Sequence, residues 1–187
     1  MAGNQTGLRQ DRLLQLHAGE PLSRPRGCAA IKRWGNCDKM DKLQTRRMEL
    51  DIKYDCTGVD WSKVCEILGL AGMAHGEPEQ HRLAWEASHT TVFAYRAREL
   101  IGFGRAISDG VFQAAVYEVA VIPAFQHQGV GTVIMRSIFT RLPNCNVILY
   151  ASPGKEPFYQ TLGMRKLKTG LALFRKADHM SARGVTE

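Results

Sequence analysis

The stretch that decides the fold is Val119-Ala-Val-Ile-Pro123-Ala-Phe-Gln126-His127-Gln128-Gly129-Val130-Gly131-Thr132. Up to Ile122 it is apolar and reads as the end of a strand, and Pro123 breaks it. Beyond the glycines, Val130, Val133, Ile134, Ile138 and Leu142 recur at steps of three and four, give or take one. That spacing predicts a helix from about Gly129 to Leu142, stopped by Pro143. A strand therefore enters a loop whose glycines open a helix. Glycine lets backbone amides approach an anion closely, and a helix N-terminus favours negative charge. The segment has the physical make-up of a pyrophosphate cradle. It is not a Walker loop, because the Gly-Lys-Ser/Thr ending is missing. It is not the dinucleotide fingerprint either, since Ile134 stands where the third glycine belongs and the stretch lies far from the first strand.

Upstream, the chain reads as strand, two helices and three antiparallel strands. Met48 to Tyr54 alternates as a strand. Asp60 is a plausible N-cap for a helix from Trp61, and Pro78 stands near the start of a second. Thr90–Ala97, Leu100–Ile107 and Val111–Ile122 form a meander, with turns at Arg98-Glu99 and Ser108-Asp109-Gly110. Downstream of the cradle helix, Asn146–Ala151 is an apolar strand, expected to run parallel to the third meander strand. A short helix from Glu156 to Leu162 ends at Gly163. Met164–Lys168 and Leu171–Lys176 are expected to make a final hairpin around Gly170. The fold class is α/β, with a mixed and mostly antiparallel sheet.

The 187 residues are 44% hydrophobic and 23% charged, a balance that excludes a disordered chain. No uninterrupted apolar run approaches the ~18 residues of a membrane span. The formal charge of +7 is unevenly placed. Residues 1–47 carry ten Lys/Arg against four Asp/Glu, leaving a nearly neutral body. That front segment has one aromatic residue, Trp34, and its periodicity is broken by Gly19, Pro21, Pro25 and Gly27. It is read as a basic, flexible extension dispensable for the fold, and a nucleic-acid arm is not favoured. Its single serine and four acids also fit a transit leader poorly. The cysteines are Cys28, Cys37, Cys56, Cys65 and Cys145, an odd number. With no apolar run of about seven to fifteen residues for a secretory leader, they point to free thiols in a reducing, cytoplasmic setting. Each near pair is separated by eight residues, against about two to four in zinc sites, so no metal is expected.

The cradle resembles the Gln/Arg-x-x-Gly-x-Gly/Ala signature of the GNAT superfamily of acetyl-CoA-dependent N-acetyltransferases, with Gln126, Gly129 and Gly131 in the defining positions. Pro157-Phe158-Tyr159-Gln-Thr-Leu-Gly163-Met164 resembles the same family's Phe-Tyr-x-x-x-Gly-Phe element, with Met164 in place of the usual aromatic. The resemblance covers residues 48–177, an acetyltransferase domain between the extension 1–47 and a C-terminal tail 178–187. It implies acetyl-CoA as cosubstrate and a GNAT fold in which the third meander strand and the next parallel strand splay apart. It implies that the segment Gln126, His127, Gln128, Gly129, Val130, Gly131 and Thr132 binds the coenzyme, with amides 128–132 on the pyrophosphate. Val119 and Val121 would pair with the pantetheine arm, and His127 would point outward.

Three chemical tasks follow: deprotonating the amine, stabilising the oxyanion and protonating the leaving thiolate. By the same resemblance Tyr159 is the candidate acid, against a purely packing role. Glu118 interrupts the apolar run Ala114–Ile122. It is the candidate base, directly or through water; the competing reading has it facing solvent or pairing with an arginine. Trp61, Met73, His75, Trp85, Phe93, Tyr95 and Tyr117 are candidates for the acceptor pocket, most of them core residues. The implied partner is a small-molecule primary amine, with a protein amine or a non-catalytic coenzyme-binding module as alternatives. A homodimer stays open, and no membrane partner is expected.

Overall fold

The computed structural model describes residues 48–186. The basic extension 1–47, with Cys28, Cys37 and Trp34, lies outside the described residues. The described part has strand β1 (Leu50–Lys53), helices α1 (Trp61–Leu70) and α2 (Pro78–Glu86), and strands β2 (Thr90–Arg96), β3 (Glu99–Ser108) and β4 (Gln113–Val121). A 3₁₀ turn, Pro123–Phe125, leads to α3 (Val130–Arg141), β5 (Asn146–Ile148), α4 (Glu156–Thr161) and α5 (Ala177–Ala182). The strands form one five-stranded sheet in sequence order. β1 to β4 are antiparallel, and β4 and β5 run parallel.

Period-two alternation sends the two sets of side chains to opposite faces. Val92, Ala94, Ile101, Ala106 and Val116 bury against Val130, Val133, Ile134 and Ile138 of α3. Phe93, Leu100, Phe103 and Ala120 bury against Val64, Ile67 and Leu68 of α1 and Trp85 of α2. The helix starts follow local chemistry. The Asp60 carboxylate accepts from the Lys63 amide at 3.1 Å, and the Gln80 side chain accepts from the Glu77 amide at 3.0 Å.

α3 lies close on the sheet because β3 offers glycine beneath it. A Cβ on Gly102 would stand 2.9 Å from the Ala120 carbonyl oxygen, 3.1 Å from Ile134 and 3.1 Å from Val121. Backbone cannot yield as a side-chain tip can. Gly102→Ala is expected to cost about 1–3 kcal/mol, the range for overpacking a tight core. The measurement is the shift of the urea midpoint at unchanged slope.

Two expectations differ from what the structure shows. β5 is shorter than Asn146–Ala151, because its pairing with β4 ends early. Met164–Lys168 and Leu171–Lys176 form no strands. Leu171 is fully exposed and Leu173 90% exposed, so neither finds the covered face that a hairpin needs. Residues 177–182, across the start of the expected tail at 178, are helical. Among the described residues no helix is long and apolar enough to cross a membrane.

Candidate active site

The cradle is built by backbone geometry. His127 has φ 59° and Gly129 φ 92°, both left-handed, so the loop turns sharply twice before the helix. Alternating handedness of this kind makes a concavity lined by N–H groups. The Val133 amide bonds the Gly129 carbonyl at 3.0 Å. The amides of Val130, Gly131 and Thr132 precede it, in the turn that a helix leaves without intrahelical acceptors. Two glutamines brace the loop: the Gln126 side-chain amide donates to the Val121 carbonyl at 2.9 Å, and that of Gln128 to Ala124 at 2.7 Å. Gln126 is thus tied to the end of β4.

Gly131 serves a close approach. A Cβ there would meet the Phe158 ring at 3.3 Å. The cradle and the Pro157-Phe158-Tyr159 element, 27 residues apart from Gly131 to Phe158 in the chain, touch at this point. Tyr159 packs edge-on to Phe158, centroids 4.9 Å apart, and against the α3-side core. Burial pushes its phenol above the ordinary range. It therefore holds its proton at neutral pH, the state that a general acid needs.

β4 and β5 pair only at Gln113–Asn146, Ala114–Val147 and Ala115–Ile148. Beyond Ala115 the β4 backbone continues to Val121 with no β5 rung beside it, so the backbone groups of that edge have no partner on β5. The end of β4 leads into the loop at 126–129. Pyrophosphate at the 128–132 amides and an extended amide-bearing arm along β4 would fit this arrangement of donors and acceptors.

Glu118 sits on a bulge. Arg105 pairs with Tyr117 and Phe103 with Ala120, so two β4 residues, Glu118 and Val119, face the single Gly104 of β3. Glu118 takes φ 54°. Regular alternation would place it on the face of Val116, towards α3; the bulge turns it instead to the α1/α2 face. There its Oε2 accepts from Trp85 Nε1 at 2.7 Å and from Arg105 Nε at 2.8 Å. Arg105 also donates to the Ser88 hydroxyl at 3.1 Å, and its guanidinium lies over the Tyr117 ring. Glu118 Oε1 stands 3.6 Å from His81 Nδ1. The carboxylate is 22% exposed, so it is partly shielded from water. It is also paired with an arginine, which was the competing reading of the sequence.

The acceptor candidates separate. Trp85 and Phe93 are core residues, with ring centroids 4.7 Å apart, and Trp61 lies 6.2 Å from each, tilted to Trp85 and edge-on to Phe93. Tyr95 lies under Lys53. Tyr117 stands next to Glu118 in the chain; Tyr150 meets its ring at 6.1 Å, and Phe174 meets Tyr150 at 5.4 Å. Sequence reasoning missed Arg105, His81, Tyr150 and Phe174. Arg105 carried a signal, as the lone charge inside the apolar arm Leu100–Ile107. Phe174 carried none.

A family model for the acetyltransferase (GNAT) domain matches residues 70–171, more than half of the chain. The chain belongs to the GNAT family. It is 32% identical over 119 residues to the rice serotonin N-acetyltransferase 2, chloroplastic, a match covering 60% of each protein. It is 38% identical over 71 residues to the Arabidopsis GCN5-related N-acetyltransferase 1, chloroplastic, covering 36% of each. The chain thus spans at most 60% of the length of either relative. Among solved structures, a GNAT-family acetyltransferase from Streptococcus pneumoniae superposes with a TM-score of 0.59 at 22% identity, covering 68% of this chain and 98% of that one. That likeness shows the same fold.

Proposed function

We propose that this chain transfers the acetyl group of acetyl-CoA to a primary amine of a small molecule. The observation that carries this reading is the β4 edge from Val116 to Val121, unpaired by any described strand on the β5 side, leading into the cradle and flanked on the α1/α2 face by Glu118. Acetyl-CoA supplies an acetyl thioester when bound. Amides 128–132 receive its pyrophosphate, and Val119 and Val121 pair with the pantetheine arm as a neighbouring strand would. The Val121 carbonyl has a second lone pair beside its bond from Gln126. The amide near Val119 polarises the thioester carbonyl. Glu118 Oε1, the oxygen left over by Trp85 and Arg105, takes the amine's proton directly or through water. The amine nitrogen then bonds to the acyl carbon, the C–S bond breaks, Tyr159 gives the departing sulfur a proton, and the second proton lost from the nitrogen restores the phenol. Tyr117, next to Glu118 in the chain, with Tyr150 against it and Phe174 beyond, favours a flat aromatic amine, and the rice relative's name supports that class. Both plant relatives are chloroplastic by name; free Cys56, Cys65 and Cys145 fit any reducing compartment, the cytoplasm included.

The test is thiol release from acetyl-CoA across arylalkylamines, polyamines and a lysine-bearing peptide. Release that requires enzyme and a small amine together is the expected result. Release with the peptide alone would move the acceptor to proteins. Tight acetyl-CoA binding with no amine-dependent release would make the chain a coenzyme-binding module. Glu118→Gln keeps an acceptor for Trp85 and Arg105 but loses the basic oxygen. Its turnover is expected to fall roughly 10²-fold at neutral pH. Activity should recover as pH climbs towards the ordinary ~10.4 of an alkylammonium, where the amine deprotonates unaided.

A further inference from the structure

His81 of α2 is a buried histidine whose two ring nitrogens have different partners. Its Nε2 accepts the Gly76 N–H at 3.2 Å. An acceptor nitrogen carries no proton, so the proton of the neutral ring sits on Nδ1. Nδ1 is the atom that faces Glu118 Oε1, at 3.6 Å. That is too long for a made hydrogen bond, but such contacts tighten when substrate loads. Gly76 belongs to the segment joining α1 to α2, residues 71–77, most of which is exposed. Both of its backbone groups are held, since its carbonyl accepts from Cys65 Sγ at 3.5 Å and lies 3.3 Å from His75 Nδ1.

We propose that His81 is a positioning residue: through Nδ1–H it orients Glu118 Oε1, and through Nε2 it locks that orientation to the α1–α2 segment on the acceptor side. His81 is not the base itself, because its only ring lone pair is spent on Gly76 and its side chain is 7% exposed. Oε2 of Glu118 is already fixed by Trp85 and Arg105, so His81 governs the remaining oxygen, the one the amine must meet. The placement of the α1–α2 segment and the aim of the carboxylate are therefore set together. This inference rests on the role given to Glu118 above.

Two measurements test it. Long-range ¹H–¹⁵N spectra of the wild-type imidazoles should show His81 as the Nδ1–H tautomer; an Nε2–H tautomer overturns the proposal whatever the kinetics. In steady state, His81→Leu should lower kcat for the amine by about 10- to 100-fold, the cost of a misaimed reacting group. Acetyl-CoA affinity, measured by calorimetry, should hold within about twofold, against the RT ln K scale. His81→Asn, which keeps a donor near the Nδ1 position, should recover part of kcat, and His81→Gln, which keeps only the Nε2 position, should not. Equal losses in Asn and Gln, or wild-type kcat in His81→Leu, overturn it. If His81→Leu does not fold, the tautomer and the Asn/Gln pair still decide. A wild-type protein that binds acetyl-CoA but acetylates no amine defeats the parent reading instead, while the tautomer result stands on its own.

Discussion

Folded Gly129→Glu protein is expected to bind no measurable acetyl-CoA. Two effects act together. Gly129 sits at φ 92°, where any side chain is strained, and it opens the turn whose amides make the cradle. A carboxylate at that point also sets like charge against the pyrophosphate, in the one place where the α3 dipole favours an anion. Gly129→Ala separates the two effects, since it adds the strain without the charge. Calorimetry should give weakened binding for Ala and none for Glu, with circular dichroism confirming that both fold. Wild-type affinity in a folded Gly129→Glu protein would remove the cradle from the site.

Tyr159→Phe keeps the ring that packs on Phe158 and the α3-side core, and deletes only the hydroxyl. Coenzyme affinity and stability should hold while turnover falls by ~10²- to 10⁴-fold, the range for a lost general acid. The lower end applies if the thiolate leaves readily without help, since a thiol titrates near ~8.5. Burial lifts the Tyr159 phenol above its ordinary range, so the wild-type phenol stays protonated through neutral pH. Wild-type turnover would therefore lose this contribution only at strongly alkaline pH, as the phenol ionises. The measurement is kcat against pH for both proteins with one acceptor. Equal kcat at every pH would take Tyr159 out of the reaction.

The sequence made legible those elements that carry their own local signal. α1 has its Asp60 cap, α3 its apolar stripe between Gly129 and Pro143, and the meander its turns at Arg98 and Asp109. The parallel sense of β5 followed from the intervening helix. The reach of β5 did not, because where two strands part company is decided by pairing across the sheet and leaves no mark in either strand. The same holds for the bulge. Ala114–Ile122 contains no Gly or Pro, so nothing in it betrays that Glu118 is the extra residue; the register of Arg105 and Phe103 across the gap reveals it. Of the site, the cradle was readable because it is made of contiguous residues. The Glu118 environment was not, since Trp85, Arg105 and His81 arrive from three separate elements. The hairpin expected at 164–176 had the right alternation but finds no strand to build on.

The edge of β4 also has a thermodynamic meaning. Between Val116 and Val121 no described strand completes the ladder on the β5 side, and whatever completes it there binds only the folded chain. On the proposed reading, acetyl-CoA is then the missing rungs, and its concentration is linked to the unfolding equilibrium. At about a hundredfold excess over Kd that linkage amounts to about 2.7 kcal/mol, a large part of what holds a domain of this size together. The protein would be most resistant to heat and proteolysis when acetyl-CoA is plentiful, and its lifetime would follow the supply of its own substrate.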